Sequence, residues 1–413
     1  MNQTNAHIAA DNDEYWAYIS AHFPTPTSFT NLENAYCGML SQSVMAALQR
    51  YQTEINVETS YFLRTRLHDR LDEVNNKLAE FCGIAVDELL ITRNLTEALH
   101  ILLRAYPFNE GDEILYANAD YDSVQQLVED IASRKQLSTR IISITSPLLS
   151  DEDIVKAYEN AITENTRVIM LTHLLHRNGQ IMPVAKIAKM AKRYKVDVIV
   201  DAAHSFAQLN FQLPDLESDF IGVNLHKWLG APLGTGLLYV RRQRIAELTG
   251  SSKARLRSLI PTGTFSPAPV MAIVDAIRFH QSIGTRNIEE RLRHLSQYWL
   301  QQVCHMAAIK HHTPVDPKRH CAIIAISISG IPAQEVVDYL MQEHQIFTVT
   351  RTIEDQEVVR ITPHIFTSKS DLDRLVEGLR QLIEEKQSFS SQLHEHEHDQ
   401  KETNDTYPRT VSL

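Results

Sequence analysis

The chain of 413 residues, of which 43% are hydrophobic, is large enough to bury a sizeable core and exceeds the size at which one core usually divides into two. With 51 acidic against 40 basic residues its net charge is -11, which argues against an extended nucleic-acid interface. Its first residues lack a signal-peptide layout and no apolar run reaches the roughly 18 residues of a membrane span, so we expect a cytoplasmic protein without membrane contact.

The placement of cysteine and histidine does not predict a metal site. The cysteines are widely spaced, with no CxxC pair, so we expect reduced thiols that pack as small apolar groups. Three histidines alternate with acids near the C-terminus, where a solvated tail is favoured over adventitious metal binding. The residues concerned are Cys37, Cys82, Cys304 and Cys321, and His394, His396 and His398.

The first half of the chain alternates apolar, strand-like runs with amphipathic, helix-like runs. In chain order these are "LLITR" and "TEALHILLRAY", "DEILYA" and "YDSVQQLVEDIASR", "TRIISI" and "DEDIVKAYENAI", "RVIMLTH" and "PVAKIAKMAKRY", and then "DVIVDAA". Short β-rich runs separated by helices of about 10–15 residues are typical of βαβ units, so the sequence predicts an α/β fold with a mostly parallel sheet. Such sheets bind ligands at the carboxyl ends of their strands.

From about Asp219 the pattern changes to strand-like pieces without helices between them, "DFIGVNLH" and "TGLLYVRR", which suit a sheet edge or an antiparallel insertion. The long helical run "NIEERLRHLSQYWLQQV" could connect two domains, and a second α/β pattern after it predicts a smaller C-terminal domain. The final polar residues predict disorder. We therefore expect an N-terminal arm over residues 1–30, a large domain over 31–270, a small domain over 271–388 and a disordered tail over 389–413.

Two charged residues end separate strand-like runs. Asp201 closes the apolar strand in "VIVDAAHSF", and Lys227 follows another in "VNLHKWLGAPLGTGLLYVRR". The aspartate could cap a turn or helix, and the two could form a structural ion pair. A desolvated lysine is also nucleophilic and condenses with aldehydes. If the aldehyde is pyridoxal phosphate (PLP), the cofactor also needs a carboxylate that keeps its ring nitrogen protonated.

A phosphate site is also predicted. In "TRNLTEALHILL", Asn94 and Thr96 open a helix directly after a strand. The free N–H groups of a helix N-terminus bind anions. The lysine, the acid and this helix start form a consistent set for binding PLP.

The segment "DAAHSF" followed by "DFIGVNLHKWLGAPLGTGLLYVRR" resembles the cofactor-lysine region of class V aminotransferase-like PLP enzymes, especially the isopenicillin N epimerase-like branch. The resemblance extends from "NLENAYCG" to "VRITPHIFTSKSDLDRLVEGL", nearly the whole chain apart from its termini. It implies the PLP-dependent transferase fold type I, with a large domain built on a seven-stranded sheet and a smaller α/β domain. It also implies an amino-acid substrate and an obligate homodimer with active sites at the interface.

The resemblance implies roles for residues around the cofactor ring. Lys227 is similar to the Schiff-base lysine that moves the proton at the substrate α-carbon, and Asp201 is similar to the partner of the ring nitrogen. His204 matches a contact of the ring hydroxyl, with a packed core histidine as the alternative. Tyr121, in "NADYDSV", falls where the family has a ring-stacking side chain, although alone it would indicate ordinary packing at a helix start.

Four further matches imply a phosphate site. Thr96 and Glu97 match the helix start that binds phosphate through backbone amides. Asn224 and His226, just before the lysine, match phosphate contacts of side chains.

Other segments complete the implied site. Gly263 and Thr264, in "PTGTFSP", resemble the turn that reaches the phosphate of the neighbouring subunit. Arg360, in "VVRITPH", matches the arginine that grips the substrate carboxylate in a bidentate pair, against the alternative of an exposed strand arginine. Asn34, in "NLENAYCG", is assigned to the same substrate site.

Two departures from the family pattern bear on the reaction. In "LTHLLHRNGQIMPV", Leu175 and His176 stand where the family has a small polar residue and an asparagine or comparable group, and His176 could still donate to the ring oxygen. Cysteine desulfurases of this superfamily need a nucleophilic cysteine shortly before the carboxylate arginine, and "HQIFTVTRTIEDQEVVR" contains none. Sulfur transfer through a persulfide is therefore disfavoured.

The expected reaction is aminotransfer first, epimerisation second and carbon–sulfur lysis third, all at the α-carbon of an amino acid or related metabolite. Epimerisation would need a second acid or base opposite Lys227, for which Tyr121 and His176 are the candidates. A non-catalytic binding module is a further alternative, against which the intact Lys227, Asp201 and Arg360 argue. A nicotinamide-binding Rossmann enzyme is disfavoured because no GxGxxG follows the early strands.

Overall fold

The computed structural model describes residues 7–144, 150–261 and 263–404, with side chains described as far as residue 388. The strands are β1 (Thr30–Asn31), β2 (Leu89–Thr92), β3 (Glu113–Ala117), β4 (Ser138–Ile142), β5 (Thr166–Thr172), β6 (Asp197–Asp201), β7 (Phe220–Asn224), β8 (Gly236–Val240), β9 (Ile309–His311), β10 (Ile324–Ile328), β11 (Ile346–Phe347), β12 (Val349–Ile353) and β13 (Gln356–Ile361). The α-helices are α1 (Asp13–Ser20), α2 (Gln42–Glu58), α3 (Ser60–Thr65), α4 (Leu67–Cys82), α5 (Leu95–Ala105), α6 (Asp122–Lys135), α7 (Asp151–Ala161), α8 (Val184–Arg193), α9 (Ile245–Thr249), α10 (Pro267–Met271), α11 (Ile273–Ile283), α12 (Thr285–Val303), α13 (Ala333–His344) and α14 (Lys369–Asn404).

Seven strands form the central sheet, in the order β2-β8-β7-β6-β5-β3-β4. Strand β8 runs antiparallel to both of its neighbours, and the other pairs are parallel. The predicted mostly parallel α/β sheet is thereby confirmed. The stretch after Asp219 supplies the antiparallel strand, which lies one position in from the edge rather than at it.

The apolar strands of this sheet are buried on both faces. In β6, Val198 and Val200 belong to one apolar cluster, which includes Ile187 of α8. Ile199 belongs to a second cluster on the other face, with Leu102 of α5. A strand covered on both sides is apolar without alternation, which explains the run "VIV". Asp201 ends the strand, and the residues that follow it, 202–209, are buried as well.

A smaller unit is built on a second sheet, antiparallel and four-stranded, in the order β12-β13-β10-β9. Its apolar cluster includes residues of α13 and α14. The N-terminal segment joins this unit, because β1 pairs in parallel with β11 and Leu32 is buried in the same cluster.

Helix α12 carries the chain from one core to the other. Its first half contributes Ile288 and Leu292 to the cluster of the large unit, and its second half contributes Trp299 and Val303 to that of the small unit. Helix α11 packs entirely with the large unit. The chain therefore passes from the core of the large unit to that of the small unit within α12. This point lies after residue 271, where the sequence predicts the domain boundary.

Helix α14 continues to Asn404, so residues 389–404 are helical where the sequence predicts a disordered tail; residues 405–413 lie outside the described part. That prediction rested on the missing apolar periodicity. Glu, Gln and Lys nevertheless have high helix propensity and can extend a helix whose earlier turns are packed. Neither α14 nor any other helix in the described ranges is long and apolar enough to span a membrane.

Candidate active site

Asp201 and Lys227 meet at the carboxyl ends of two neighbouring parallel strands. Asp201 is the last residue of β6 and is 3% exposed, and Lys227 lies three residues after the end of β7. The Lys227 Nζ is 3.0 Å from Nε2 of His204, which follows β6. Oδ1 of Asp201 accepts the Ala203 N–H at 2.8 Å, which turns the chain into the segment that carries His204.

Burial sets the protonation of these groups. It lowers the pKa of Lys227 to about 8, against the opposing effect of the Asp201 and Glu33 carboxylates, while Arg360 lowers it further. Burial also raises the pKa of Asp201 and, together with the charge of Lys227, holds the pKa of His204 well below the usual histidine range. The site therefore contains an amine that titrates near neutral pH beside a neutral imidazole.

The start of α5 lies next to the lysine segment. Asn94 caps the helix, its Oδ1 accepting the Glu97 N–H at 2.8 Å, and Oδ1 of Asn224 accepts the Leu95 N–H at 2.8 Å. Side chains of the protein thus bind two of the first three amides, and no described contact binds the third, the N–H of Thr96. The start of α5 therefore lies beside the lysine segment, with one amide available to an anion.

Two of the predicted phosphate residues are partly engaged within the chain. His226 donates its Nδ1–H to the Thr235 carbonyl at 3.0 Å, which leaves Nε2 for a ligand. The Glu97 carboxylate accepts the backbone N–H of Arg93 at 2.6 Å and its Nε–H at 2.8 Å. Because Asn94 already binds the Glu97 N–H, Glu97 has no donor available to an anion in this structure.

Close backbone contacts require glycine at two positions around the site. A Cβ at Gly38 would lie 1.9 Å from the Lys227 carbonyl oxygen, and the Gly38 N–H donates to the His226 carbonyl at 2.8 Å. A Cβ at Gly236 would lie 2.6 Å from the backbone of Asn94. The segment "NAYCG" therefore packs directly on the lysine segment, and the start of β8 packs on the start of α5.

Arg360 is buried, not exposed on its strand. Its Nε donates to Glu33 Oε2 at 3.2 Å, its Nη2 donates to Glu33 Oε1, and its Nη1 donates to the His176 carbonyl at 2.7 Å. Residues far apart in sequence are thereby joined beside Lys227. In this structure the bidentate partner of the arginine is a carboxylate of the chain itself.

Asn34 is buried and its amide is used within the chain. Its Nδ2 donates to the carbonyls of Asn31 and Thr362, at 3.0 and 2.9 Å, and its Oδ1 accepts from Asn31. These bonds attach the N-terminal segment to the end of β13. They support a role in positioning the neighbouring Glu33 more directly than a contact with substrate.

Tyr121 and His176 are paired at one side of the crevice. Their rings are perpendicular, with centroids 4.9 Å apart. His176 is buried, and burial together with nearby cations, Arg177 first, holds its pKa well below the usual range. Tyr121 is 37% exposed at the start of α6, so its ring is accessible to a ligand.

Gly263 and Thr264 are exposed in the single chain. They line an open groove of about 2290 Å³ that also reaches Thr96 and Glu97 at the start of α5. The predicted turn and the predicted phosphate helix therefore share one surface of the large unit.

Glu33 and Asp120 were not predicted from the sequence as site residues. Asp120 is buried directly before Tyr121, and its carboxylate accepts the N–H groups of Ala117 and Thr172, both at 2.8 Å, which ties the end of β3 to the end of β5. Burial raises the pKa of Asp120 to about 6. Its position just after a buried strand was a detectable signal. Nothing local in "NLENAYCG" indicated a partner for Glu33 on β13.

The residues present fit PLP. Nδ1 of His204 and Nδ1 of His176 are buried and have no partner among the described residues, so both can bind polar substituents of a ring. Asp201 offers a carboxylate for a ring nitrogen, and the start of α5 offers an amide for a phosphate. Within the described residues no cluster of acids, histidines or cysteines is arranged to hold a metal ion.

Comparison with known proteins agrees with this chemistry. The Aminotransferase class-V family model matches residues 30–375. Isopenicillin N epimerase of Amycolatopsis lactamdurans is 24% identical, over 89% of this chain and 98% of that protein, and hercynylcysteine sulfoxide lyase of Schizosaccharomyces pombe is 22% identical, over 73% and 78%. The apo cysteine desulfurase of Thermococcus onnurineus NA1 has a TM-score of 0.79 at 18% identity, covering 89% of this chain and 98% of that one, which confirms fold type I. The chain belongs to the class V aminotransferase family of PLP-dependent enzymes.

Proposed function

We propose that this enzyme transfers a proton at the α-carbon of an amino acid, or of a metabolite derived from one, with Lys227 as the base. The observation that carries the proposal is the buried Lys227 amine, whose pKa is about 8, 3.0 Å from the neutral imidazole of His204. Such an amine is partly deprotonated at neutral pH. It can therefore react with an aldehyde and can accept a proton.

The other residues would bind and orient the reactants. When bound, PLP supplies the electron sink that makes the substrate α-proton acidic. Asp201 would keep its ring nitrogen protonated, and the start of α5 with His226 would hold its phosphate. Arg360 would bind the substrate carboxylate and so fix the direction of the α C–H bond relative to Lys227.

We propose transamination as the first reaction type. Transamination needs one base, whereas epimerisation needs an acid or base on each face of the substrate. The Lys227 amine titrates near neutral pH, while burial keeps the pKa values of His204 and His176 well below the usual range. A neutral imidazole can accept a proton on the second face but has no excess proton to deliver there, so it would support epimerisation in one direction only.

Epimerisation is the second candidate. The pair of Tyr121 and His176, with ring centroids 4.9 Å apart, is the observation that favours it, because either side chain could exchange a proton opposite the lysine. Relatives that cover nearly all of the chain are named as isopenicillin N epimerases.

Carbon–sulfur lysis is the third candidate, favoured by the relative named as a sulfoxide lyase. Persulfide transfer stays disfavoured, because β12 and β13 are joined by the two residues Glu354 and Asp355, with no cysteine. The pKa of Cys37, whose charge would interact with Lys227, is raised by burial, so its thiol stays protonated at neutral pH.

We further propose that the enzyme acts as a homodimer. Gly263 and Thr264 are exposed and share an open groove with the start of α5, which supports a second copy whose turn reaches that helix. A mass near twice 47.1 kDa in light scattering is the expected result. A monomeric mass with full activity would contradict the proposal.

The function is tested by exchange of α-protons in deuterated water. The PLP-loaded enzyme is incubated with a panel of amino acids, and NMR follows loss of the α-proton together with keto acid, opposite enantiomer and pyruvate as products. We expect exchange with the parent and with the surface variant Lys189→Ala, and none with Lys227→Ala. The product that accumulates decides between the three reaction types.

Borohydride reduction provides a second test of Lys227. Reduction of the loaded parent and of Lys189→Ala should add the cofactor mass to the peptide that contains Lys227, as read by mass spectrometry. If Lys227→Ala protein forms the same reducible adduct as the parent, the proposal is abandoned.

A further inference from the structure

The guanidinium of Arg360 is already paired in this structure. Arg360 is 2% and Glu33 is 8% exposed, and the two form a bidentate, buried ion pair. A third bond, to the His176 carbonyl, holds the guanidinium in place. A substrate carboxylate that binds Arg360 through the same two N–H groups must therefore first displace Glu33.

A second arginine stands next to the same carboxylate. Nη2 of Arg351 lies 3.8 Å from Oε1 of Glu33, and the Arg351 side chain is 29% exposed. In the hairpin register Arg360 faces Val349, so Arg351 is the diagonal neighbour of Arg360 on the same face of the sheet. Glu33 thus has a second cation within a short movement of its side chain.

The charges of this group are unequal. Two guanidiniums lie beside one carboxylate, so these three side chains carry one net positive charge. They can therefore bind one more anion. A buried carboxylate without a cation is unfavourable, which means that Glu33 can leave Arg360 only if it reaches another positive group. Arg351 supplies that group.

We propose that Glu33 is a resident carboxylate that competes with the substrate for Arg360, and that Arg351 receives Glu33 when a substrate carboxylate binds. The inference rests on the proposed function, in which Arg360 binds the substrate carboxylate. It makes Glu33 and Arg351 specificity-determining residues. Ligands with a carboxylate displace Glu33, whereas amines without one leave the pair intact.

The inference is tested by calorimetric titration of the PLP-loaded enzyme with acetate and, separately, with propylamine. Glu33→Gln removes the competing charge and keeps the size of the side chain. We expect acetate to bind Glu33→Gln at least tenfold more tightly than the parent, with propylamine affinity unchanged within twofold. The control Glu357→Gln, which removes an exposed carboxylate from β13, should bind both ligands as the parent does.

Arg351 is tested by a double-mutant cycle. Arg351→Gln should weaken acetate binding at least fivefold when Glu33 is present, because the displaced carboxylate then has no cation to move to. In the Glu33→Gln background the same substitution should change acetate binding less than twofold. Equal effects in the two backgrounds would mean that Arg351 acts independently of Glu33 and would overturn the proposal.

The outcomes separate this inference from the proposed function. If Arg360→Gln abolishes acetate binding but Glu33→Gln does not tighten it, Glu33 is structural and only this inference fails. If Arg360→Gln leaves acetate binding to Glu33→Gln protein unchanged, Arg360 is not the carboxylate site, and this inference fails together with the role of Arg360 in the proposed function. Should Glu33→Gln not fold, Glu33→Asp retracts the carboxylate by one methylene and should still tighten acetate binding at least threefold; no tightening there also overturns the inference.

Discussion

Asn224 accepts the N–H of Leu95 at 2.8 Å, so a residue just before Lys227 stabilises the first turn of α5. The bond spans 129 positions of sequence and attaches the predicted phosphate helix to the lysine segment. The Asn224 side chain therefore fixes the start of α5 relative to the segment that carries Lys227.

Asn224→Asp should separate the two roles of this residue. Aspartate keeps an oxygen for the Leu95 N–H, and a helix N-terminus favours negative charge, so we expect the free energy of unfolding of cofactor-free protein to change by less than about 1 kcal/mol. The added charge repels phosphate, and the Kd for PLP should rise at least tenfold, as measured by fluorescence titration. Asn224→Ala removes the acceptor of the Leu95 N–H, so it should lower the free energy of unfolding by about 1 kcal/mol in addition to weakening PLP binding. Unchanged PLP affinity in Asn224→Asp would refute the assignment of Asn224 to the phosphate site.

The buried Lys227 should make the stability of cofactor-free protein depend on pH. Its pKa is lowered to about 8, so the unfolded chain binds this proton more tightly, and the contribution of Lys227 to stability rises as pH increases from about 8 to about 10.5. In urea unfolding we compare the free energy of unfolding of Lys227→Met with that of the parent. The difference in favour of Lys227→Met should be about 2 kcal/mol larger at pH 7.5 than at pH 9.5. The exposed control Lys189→Met should show a constant difference. If the difference in unfolding free energy between Lys227→Met and the parent does not decrease from pH 7.5 to pH 9.5, the lowered pKa is contradicted.

Asp120 should make the stability of the protein depend on pH in the direction opposite to that of Lys227. Burial raises its pKa to about 6, so the folded state binds this proton more tightly, and the contribution to stability that is present at low pH is lost as pH rises through about 6. Relative to Asp120→Asn, the parent should lose about 1 kcal/mol of unfolding free energy between pH 5 and pH 7. Asp130→Asn, at an exposed position, should show no such change. A parent that instead gains stability over this range relative to Asp120→Asn rules out the raised pKa.

Local patterns were sufficient to predict the central sheet and the meeting of Asp201 with Lys227. Apolar runs separated by amphipathic helices define a parallel sheet, and the strand ends of such a sheet meet at one edge. The antiparallel β8 was also indicated, because no helix could be placed between "DFIGVNLH" and "TGLLYVRR".

Contacts between distant segments were not predictable in the same way. Glu33 and Arg360 are 327 positions apart, and neither the charge pattern near "NLENAYCG" nor that of β13 specifies the other partner. The same holds for Asn34, whose hydrogen bonds depend on how the N-terminal segment enters the small unit. The helical end of α14 was missed because helix propensity, not apolar periodicity, governs an unpacked extension.

The segment from Leu32 to Gly38 acts as a short strap between the two units. At one end the Leu32 carbonyl accepts the Thr362 N–H at 2.7 Å, and at the other the Gly38 N–H bonds to the residue before Lys227. Between these two bonds the chain forms an isolated bridge at Glu33 and bends at residues 35–37, with no helix or strand. The length of these seven residues therefore sets an upper limit on how far the unit that carries Arg360 can move from the segment that carries Lys227.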